Sequence, residues 1–120
     1  MAIQRILIVD DSPTERFFLA DLLGKNGYDV SMAENGTEAL DKAKQTKPDL
    51  ILMDVVMPGL NGFQATRAIT RDDDTKHIPI ILCTTKNQET DKIWGMRQGA
   101  IEYMVKPIDG PALLQKIRAL

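Results

Sequence analysis

Apolar residues along this chain fall into short unbroken runs separated by longer amphipathic stretches. Arg5-Ile6-Leu7-Ile8-Val9, Leu50-Ile51-Leu52-Met53 and Ile80-Ile81-Leu82-Cys83 are bounded by polar or turn-forming residues. Runs of that length predict strands buried on both faces. Tyr103-Met104-Val105 predicts a shorter strand, and Asp29–Ala33, which alternates less cleanly, predicts a strand nearer a sheet edge.

Helices are predicted between the strands. Ser12-Pro13-Thr14-Glu15 combines an N-cap serine, a proline at the first helical position and a glutamate that completes a capping box. That helix runs to about Asn26, where Gly27 closes it, with Phe17, Ala20 and Leu23 expected on its core face. Asn35-Gly36-Thr37 opens a second helix, with Ala39, Leu40 and Ala43 inward, and Pro48 stops it. Phe63 to about Arg71 predicts a third, with Phe63, Arg67 and Ile69 partly buried, and Gln88 to about Gln98 a fourth, ended by Gly99. Asp109-Gly110-Pro111 starts a last helix whose apolar stripe is Leu113, Leu114, Ile117 and Leu120. Five strands alternating with five helices predict an α/β fold, a single parallel sheet covered on both faces.

The strand ends carry the chemistry. The first strand runs into Asp10-Asp11, the third into Asp54, the fourth into Thr84 and the fifth into Lys106. In an open α/β sheet the carboxyl ends of the strands are where ligands bind. Each residue alone has a plain reading: helix-capping acids, a turn aspartate, a β-branched strand residue, a surface lysine. Together, each at a strand end, they describe a site. Three converging carboxylates repel one another unless one protonates or a cation joins them. Mg²⁺ suits an all-oxygen set that also receives phosphate oxygens, and no histidine or cysteine is placed to select a softer metal. Asp54 is then a nucleophile for phosphorus, and the Lys106 ammonium and Thr84 hydroxyl can meet the charge that develops on the phosphoryl oxygens.

Composition narrows the partners. The chain has 120 residues, one domain's worth, and a formal net charge of −2, which gives no basic field for nucleic acid or anionic lipid. Its one cysteine, Cys83, excludes an internal disulfide. Met1-Ala2-Ile3-Gln4-Arg5 lacks the features of a signal peptide, and no apolar stretch is long enough to span a bilayer, so a cytoplasmic protein without membrane insertion is expected. Asp72-Asp73-Asp74-Thr75-Lys76-His77 reads as a solvated loop, with no chemical role for His77. Trp94 is expected in the core or partly buried rather than docking a partner.

These residues resemble the receiver domain of two-component response regulators, of the single-domain CheY-like kind, over essentially the whole of residues 1–120. The resemblance implies a flavodoxin-like sheet of order 2-1-3-4-5 and no output domain. It matches Asp10 and Asp11 to the family's acid pair, Asp54 to its phosphorylated aspartate, and Pro58 and Gly62 to its loop positions. It matches Thr84 and Tyr103 to the switch pair and Lys106-Pro107 to the family's Lys-Pro, with a cis peptide bond before Pro107. By the same likeness Mg²⁺ is held by Asp11, Asp54 and the backbone carbonyl of Val56, with Asp10 acting mainly through water. Thr85 departs from the family's usual Ala or Gly after the switch hydroxyl, and Val56 and Lys86 flank the expected path of the attacking water.

The segments Asp54–Arg67 and Thr84–Lys92 are similar to the subfamily that regulates type IV pilus twitching motility. That likeness implies a CheA-like histidine kinase as phosphodonor, the downstream protein target stays unidentified, and the expected lack of an output domain favours a monomer. Slow autodephosphorylation belongs to the same picture. An alternative stays open, in which the domain drains phosphate from a shared kinase instead of acting on a target. Two other readings fail on single residues. An aspartate-nucleophile phosphatase needs a second aspartate where Val56 stands, and a flavin binder would meet its phosphate with the repelling pair Asp10-Asp11.

Overall fold

Ten elements alternate along residues 2–120, the part of the chain that the computed structural model describes. They are β1 (Arg5–Val9), α1 (Pro13–Lys25), β2 (Asp29–Ala33), α2 (Gly36–Thr46), β3 (Leu50–Met53), α3 (Gly62–Arg71), β4 (Ile80–Thr84), α4 (Glu89–Arg97), β5 (Glu102–Val105) and α5 (Gly110–Arg118). The strands form one sheet in the order β2-β1-β3-β4-β5, and every pairing is parallel. The expected architecture and strand order are therefore observed. Met1, the first residue of the segment read above as lacking a leader, lies outside the described residues. No helix among them is long and apolar enough to cross a membrane.

Alternation along the buried strands divides the core between the two faces. Leu7, Val9, Ile51, Met53, Ile80 and Leu82 pack with Ala39 and Ala43 of α2 and Ala65 and Ile69 of α3. Ile6, Ile8, Leu50, Leu52, Ile81 and Cys83 pack with Leu19 and Leu23 of α1 and Leu113 and Ile117 of α5. The central strands β1, β3 and β4 are covered on both sides, which is why they read as continuous apolar runs. β2 is an edge strand with mixed burial, as its weaker pattern predicts.

Three residues expected to be wholly or partly inside are outside. Phe17 is 73% exposed because the stripe of α1 runs through Leu19 and Leu23, and two positions along a helix is about 200° around it. The same offset from Ile69 leaves Arg67 exposed, while Ala65 and Thr66 take the inward positions. Leu120 follows the C-cap Ala119, so it leaves the stripe of α5. The capping box of α1 is half formed. The Ser12 side chain accepts the Glu15 N–H, but the Ser12 N–H donates to Asp10 Oδ1 instead of to Glu15. A complete capping box is on α3, between Asn61 and Gln64. In the Asp72–His77 loop one member is not solvated: Thr75 is buried, and its hydroxyl donates to the Ile69 carbonyl.

Candidate functional site

Asp10, Asp54 and Lys106, at the carboxyl edge of the sheet, are each fixed by one further backbone bond to the neighbouring strand. The Asp10 N–H donates to Ala33 O at 3.1 Å, the Asp54 N–H to Val9 O at 2.9 Å, and the Lys106 N–H to Thr84 O at 2.8 Å. The parallel register sets Val9 beside Met53, so Asp10 and Asp54 leave adjacent strands at the same level. The loop after β3 then turns sharply to start α3. Gly62 allows this, because a Cβ there would stand 2.0 Å from the Asp54 carbonyl oxygen, and the Gly62 N–H donates to Val55 O at 2.9 Å.

The side chains converge as the strand ends predict. Carboxylate oxygens of Asp10, Asp11 and Asp54 all lie within 4.8 Å of one another. Asp10 and Asp54 are buried and Asp11 is exposed. Lys106 Nζ donates to Asp10 Oδ2 at 2.7 Å and stands 3.7 Å from Asp54 Oδ1. Asp54 Oδ1 also accepts the Val55 N–H at 2.8 Å. Burial, reinforced by the Asp10 charge and opposed by Lys106, pushes the Asp54 carboxyl up to about 6. Burial would lower the Lys106 ammonium, but the bond to Asp10 and the Asp54 charge outweigh it and raise it overall. The cluster therefore carries more negative charge than its one lysine balances. An all-carboxylate donor set of this spacing can hold a metal ion.

The remaining expected residues divide. Thr84 is fully buried at the end of β4, and its hydroxyl accepts the Lys86 N–H at 3.3 Å. Tyr103 is not gathered into the cluster: its hydroxyl donates to the Lys86 carbonyl at 2.8 Å, and its ring packs against Gly95 of α4. Burial pushes the Tyr103 phenol up to about 12. Val56 lies just beyond the site with its side chain 53% exposed, and Thr85 is exposed. The Lys106–Pro107 peptide is cis, as expected. Trp94 is not in the core: 47% of its surface is open on α4 together with exposed Ile93 and Met96.

Arg16 was not anticipated. Its Nη1 donates to the Asp10 backbone carbonyl at 2.7 Å and its Nη2 pairs with Glu34 at 3.2 Å. A signal was present in the chain, because a cation near the N-terminus of a helix opposes the helix dipole and calls for a partner.

Residues 6–118 match the family model described as response regulator receiver domain. This chain belongs to the response regulator receiver family. The receiver is 59% identical over 116 residues to protein PilH of Pseudomonas aeruginosa, covering 97% of this chain and 96% of that protein. It is 40% identical to the response regulator PleD of Caulobacter vibrioides, of which it spans 26%. Among solved structures it resembles chemotaxis protein CheY4 of Vibrio cholerae, with a TM-score of 0.91, 35% identity and 98% of each chain covered. The chain is thus a signalling protein of the CheY-like class.

Proposed function

We propose that this receiver takes a phosphoryl group from a histidine kinase onto Asp54 and uses it to change the surface formed by α4, β5 and α5. The observation that carries the reading is the gathering of Asp10, Asp11, Asp54 and the Lys106 ammonium at one edge of the sheet. An Asp54 carboxylate oxygen attacks the phosphorus of the phosphohistidine. A P–O bond forms as the P–N bond breaks, and the imidazole nitrogen leaves with the electron pair and takes up a proton.

Lys106 and the Thr84 hydroxyl are the chain's own partners for the charge on the phosphoryl oxygens. Asp11, Asp54 and the Val56 backbone carbonyl are the residues that would hold Mg²⁺. Asp10 is suited to a water-mediated role, because both of its oxygens already accept hydrogen bonds, from Ser12 and Lys106. Mg²⁺ when bound supplies positive charge to the phosphoryl oxygens, and three carboxylates short of one compensating cation suit it.

Phosphorylation adds up to about two negative charges. Thr84 turning toward them gives up the Lys86 N–H, and Tyr103 can move into the space it leaves. Shifting a two-state equilibrium from 1:99 to 99:1 takes about 5.5 kcal/mol, which a few charge-assisted hydrogen bonds of roughly 1.5–3 kcal/mol each can supply. Ile93, Trp94 and Met96 lie exposed on the surface so changed. The likeness to PilH supports a place in type IV pilus control in the cytoplasm, with a CheA-like kinase as donor.

The test is intact mass after incubation with acetyl phosphate, with Mg²⁺, with chelator, and for Asp54→Ala with Mg²⁺. One added phosphoryl group is expected only in the unaltered protein with Mg²⁺. Modification that survives Asp54→Ala would show the site to be misassigned. No modification from acetyl phosphate or a histidine kinase would end the phosphotransfer reading.

A further inference from the structure

Asp10 is constrained at every polar atom. Its N–H donates to Ala33 O at 3.1 Å, Oδ1 accepts from the Ser12 N–H at 2.9 Å, and Oδ2 accepts from Lys106 Nζ at 2.7 Å. The fourth bond comes from Arg16, whose Nη1 reaches the Asp10 carbonyl at 2.7 Å. That carbonyl belongs to the peptide joining Asp10 to Asp11. Fixing its oxygen fixes the peptide plane, and with it the direction in which Asp11 leaves the chain. Asp11 itself is exposed, on the turn between β1 and α1.

Arg16 is in turn held from outside the turn. Its Nη2 pairs with Glu34 at 3.2 Å, and Glu34 directly follows Ala33, the residue that receives the Asp10 N–H. The arginine side chain is only 14% exposed, whereas Glu34 is 66% exposed. The guanidinium therefore ties the acid-bearing turn to the end of β2. Its planar fork suits the task, since one nitrogen takes the carbonyl while the other takes the carboxylate.

We propose that Arg16 is a positioning residue for the metal-binding acids, holding the Asp10–Asp11 peptide so that the Asp11 carboxylate faces Asp54. The inference rests on the reading that this cluster takes a divalent cation. Outer partners that orient ligands commonly contribute ten-fold or more to metal affinity. A cation beside three carboxylates also has a Coulombic effect of the opposite sign. Deleting Arg16 removes positive charge, and charge alone would then make Mg²⁺ bind more tightly. The direction of the change separates positioning from simple electrostatics.

The experiment is a calorimetric titration of Mg²⁺ into the unaltered chain, Arg16→Ala and Arg16→Lys. It is paired with the rate of acetyl phosphate transfer as a function of Mg²⁺, and circular dichroism checks the fold. Arg16→Ala is expected to weaken Mg²⁺ binding by about ten-fold, with the rate at saturating Mg²⁺ little changed. Arg16→Lys keeps the charge and one donor, so its affinity should fall between the two. Mg²⁺ affinity that is equal or tighter in Arg16→Ala would overturn the inference. So would a loss confined to the saturating rate. If Arg16→Ala does not fold, Arg16→Lys decides: weaker Mg²⁺ binding at constant charge supports the proposal, and unchanged binding overturns it. Absence of Mg²⁺ binding by the unaltered chain would instead overturn the metal reading, and this inference with it.

Discussion

Replacing Asp54 by asparagine should stabilise the protein in chelator, and by an amount that grows with pH. The Asp54 carboxyl is pushed from 3.8 to about 6, first by burial and then by the charge of Asp10. In strong acid the carboxyl is protonated in both the folded and the unfolded chain and contributes nothing. As pH rises past the unfolded value, the unfolded chain releases its proton while the folded chain retains it, so folding loses ground. The loss grows until pH passes the folded value and is constant above it. Two pH units at about 1.4 kcal/mol each give a penalty of about 2–3 kcal/mol at neutral pH. Asparagine has nearly the shape of the protonated acid and can still accept the Val55 N–H, so Asp54→Asn removes the penalty at little packing cost. For a chain of this size the gain is roughly 10 °C in Tm at about pH 8, shrinking to a few degrees near about pH 4.5. Thermal melts followed by far-ultraviolet circular dichroism, with chelator at both pH values, measure it. A variant no more stable than the parent at the higher pH, or a gap independent of pH, would refute the reasoning.

Other substitutions test the frame around the site. Asp49 Oδ2 accepts the N–H groups of Gln4 and Arg5 at 3.0 and 2.9 Å, and these bonds hold its carboxyl below the usual value. Asp49→Ala should cost about 1 kcal/mol at neutral pH, screened by solvent, with the difference vanishing as pH falls through the folded value; urea melts at two pH values would show it. A Cβ on Gly95 would meet Leu82 Cδ1 at 2.7 Å and the Tyr103 ring at 3.0 Å. Overpacking costs about 1–3 kcal/mol and the helix propensity of alanine returns up to about 1, so Gly95→Ala should lose up to about 2 kcal/mol in a urea melt. At Gly62 the obstacle is the Asp54 backbone, which cannot move aside without moving the site. Gly62→Ala should lose more than about 4 kcal/mol or fail to yield soluble protein, and a normal melt would contradict the geometry.

The sheet was legible in the sequence because its central strands are buried on both faces and so read as unbroken apolar runs. The site was legible because chain order put an acid, a hydroxyl or a lysine at the ends of four of the five strands. Helix faces were harder. Phe17 is apolar and sits near the start of α1, yet an alanine and leucines elsewhere on that helix face the sheet, and periodicity over so few turns cannot choose between overlapping stripes. The Ser12–Glu15 pattern predicted a reciprocal cap, but Asp10 competes for the same N–H from two residues away. Arg16 was missed for a related reason: its partners are a backbone carbonyl and a glutamate eighteen residues on, and neither pairing leaves a periodic trace.

Burial and the charge of Asp10 raise the Asp54 carboxyl, and the position of Lys106 between Asp10 and Asp54 limits how far it offsets them. Both are buried acids on adjacent strands, and one lysine serves them unequally, at 2.7 Å from Asp10 and 3.7 Å from Asp54. Coulomb attraction falls with distance, so the longer approach gives up about a quarter of the pair energy at a fixed dielectric. Asp10 also has the Ser12 N–H, whereas Asp54 has only the Val55 N–H and faces the charge of Asp10. Had Lys106 closed on Asp54, the carboxylate would be satisfied, and positive charge arriving at the site would gain less there. Left undercompensated, Asp54 is the residue at which an incoming cation relieves the most electrostatic cost. An ammonium already within 4 Å can then shift toward new negative charge without leaving the cluster. The stability lost at Asp54 and the chemistry proposed for it thus share an origin, a carboxylate buried beside Asp10 that Lys106, closer to Asp10, offsets only in part.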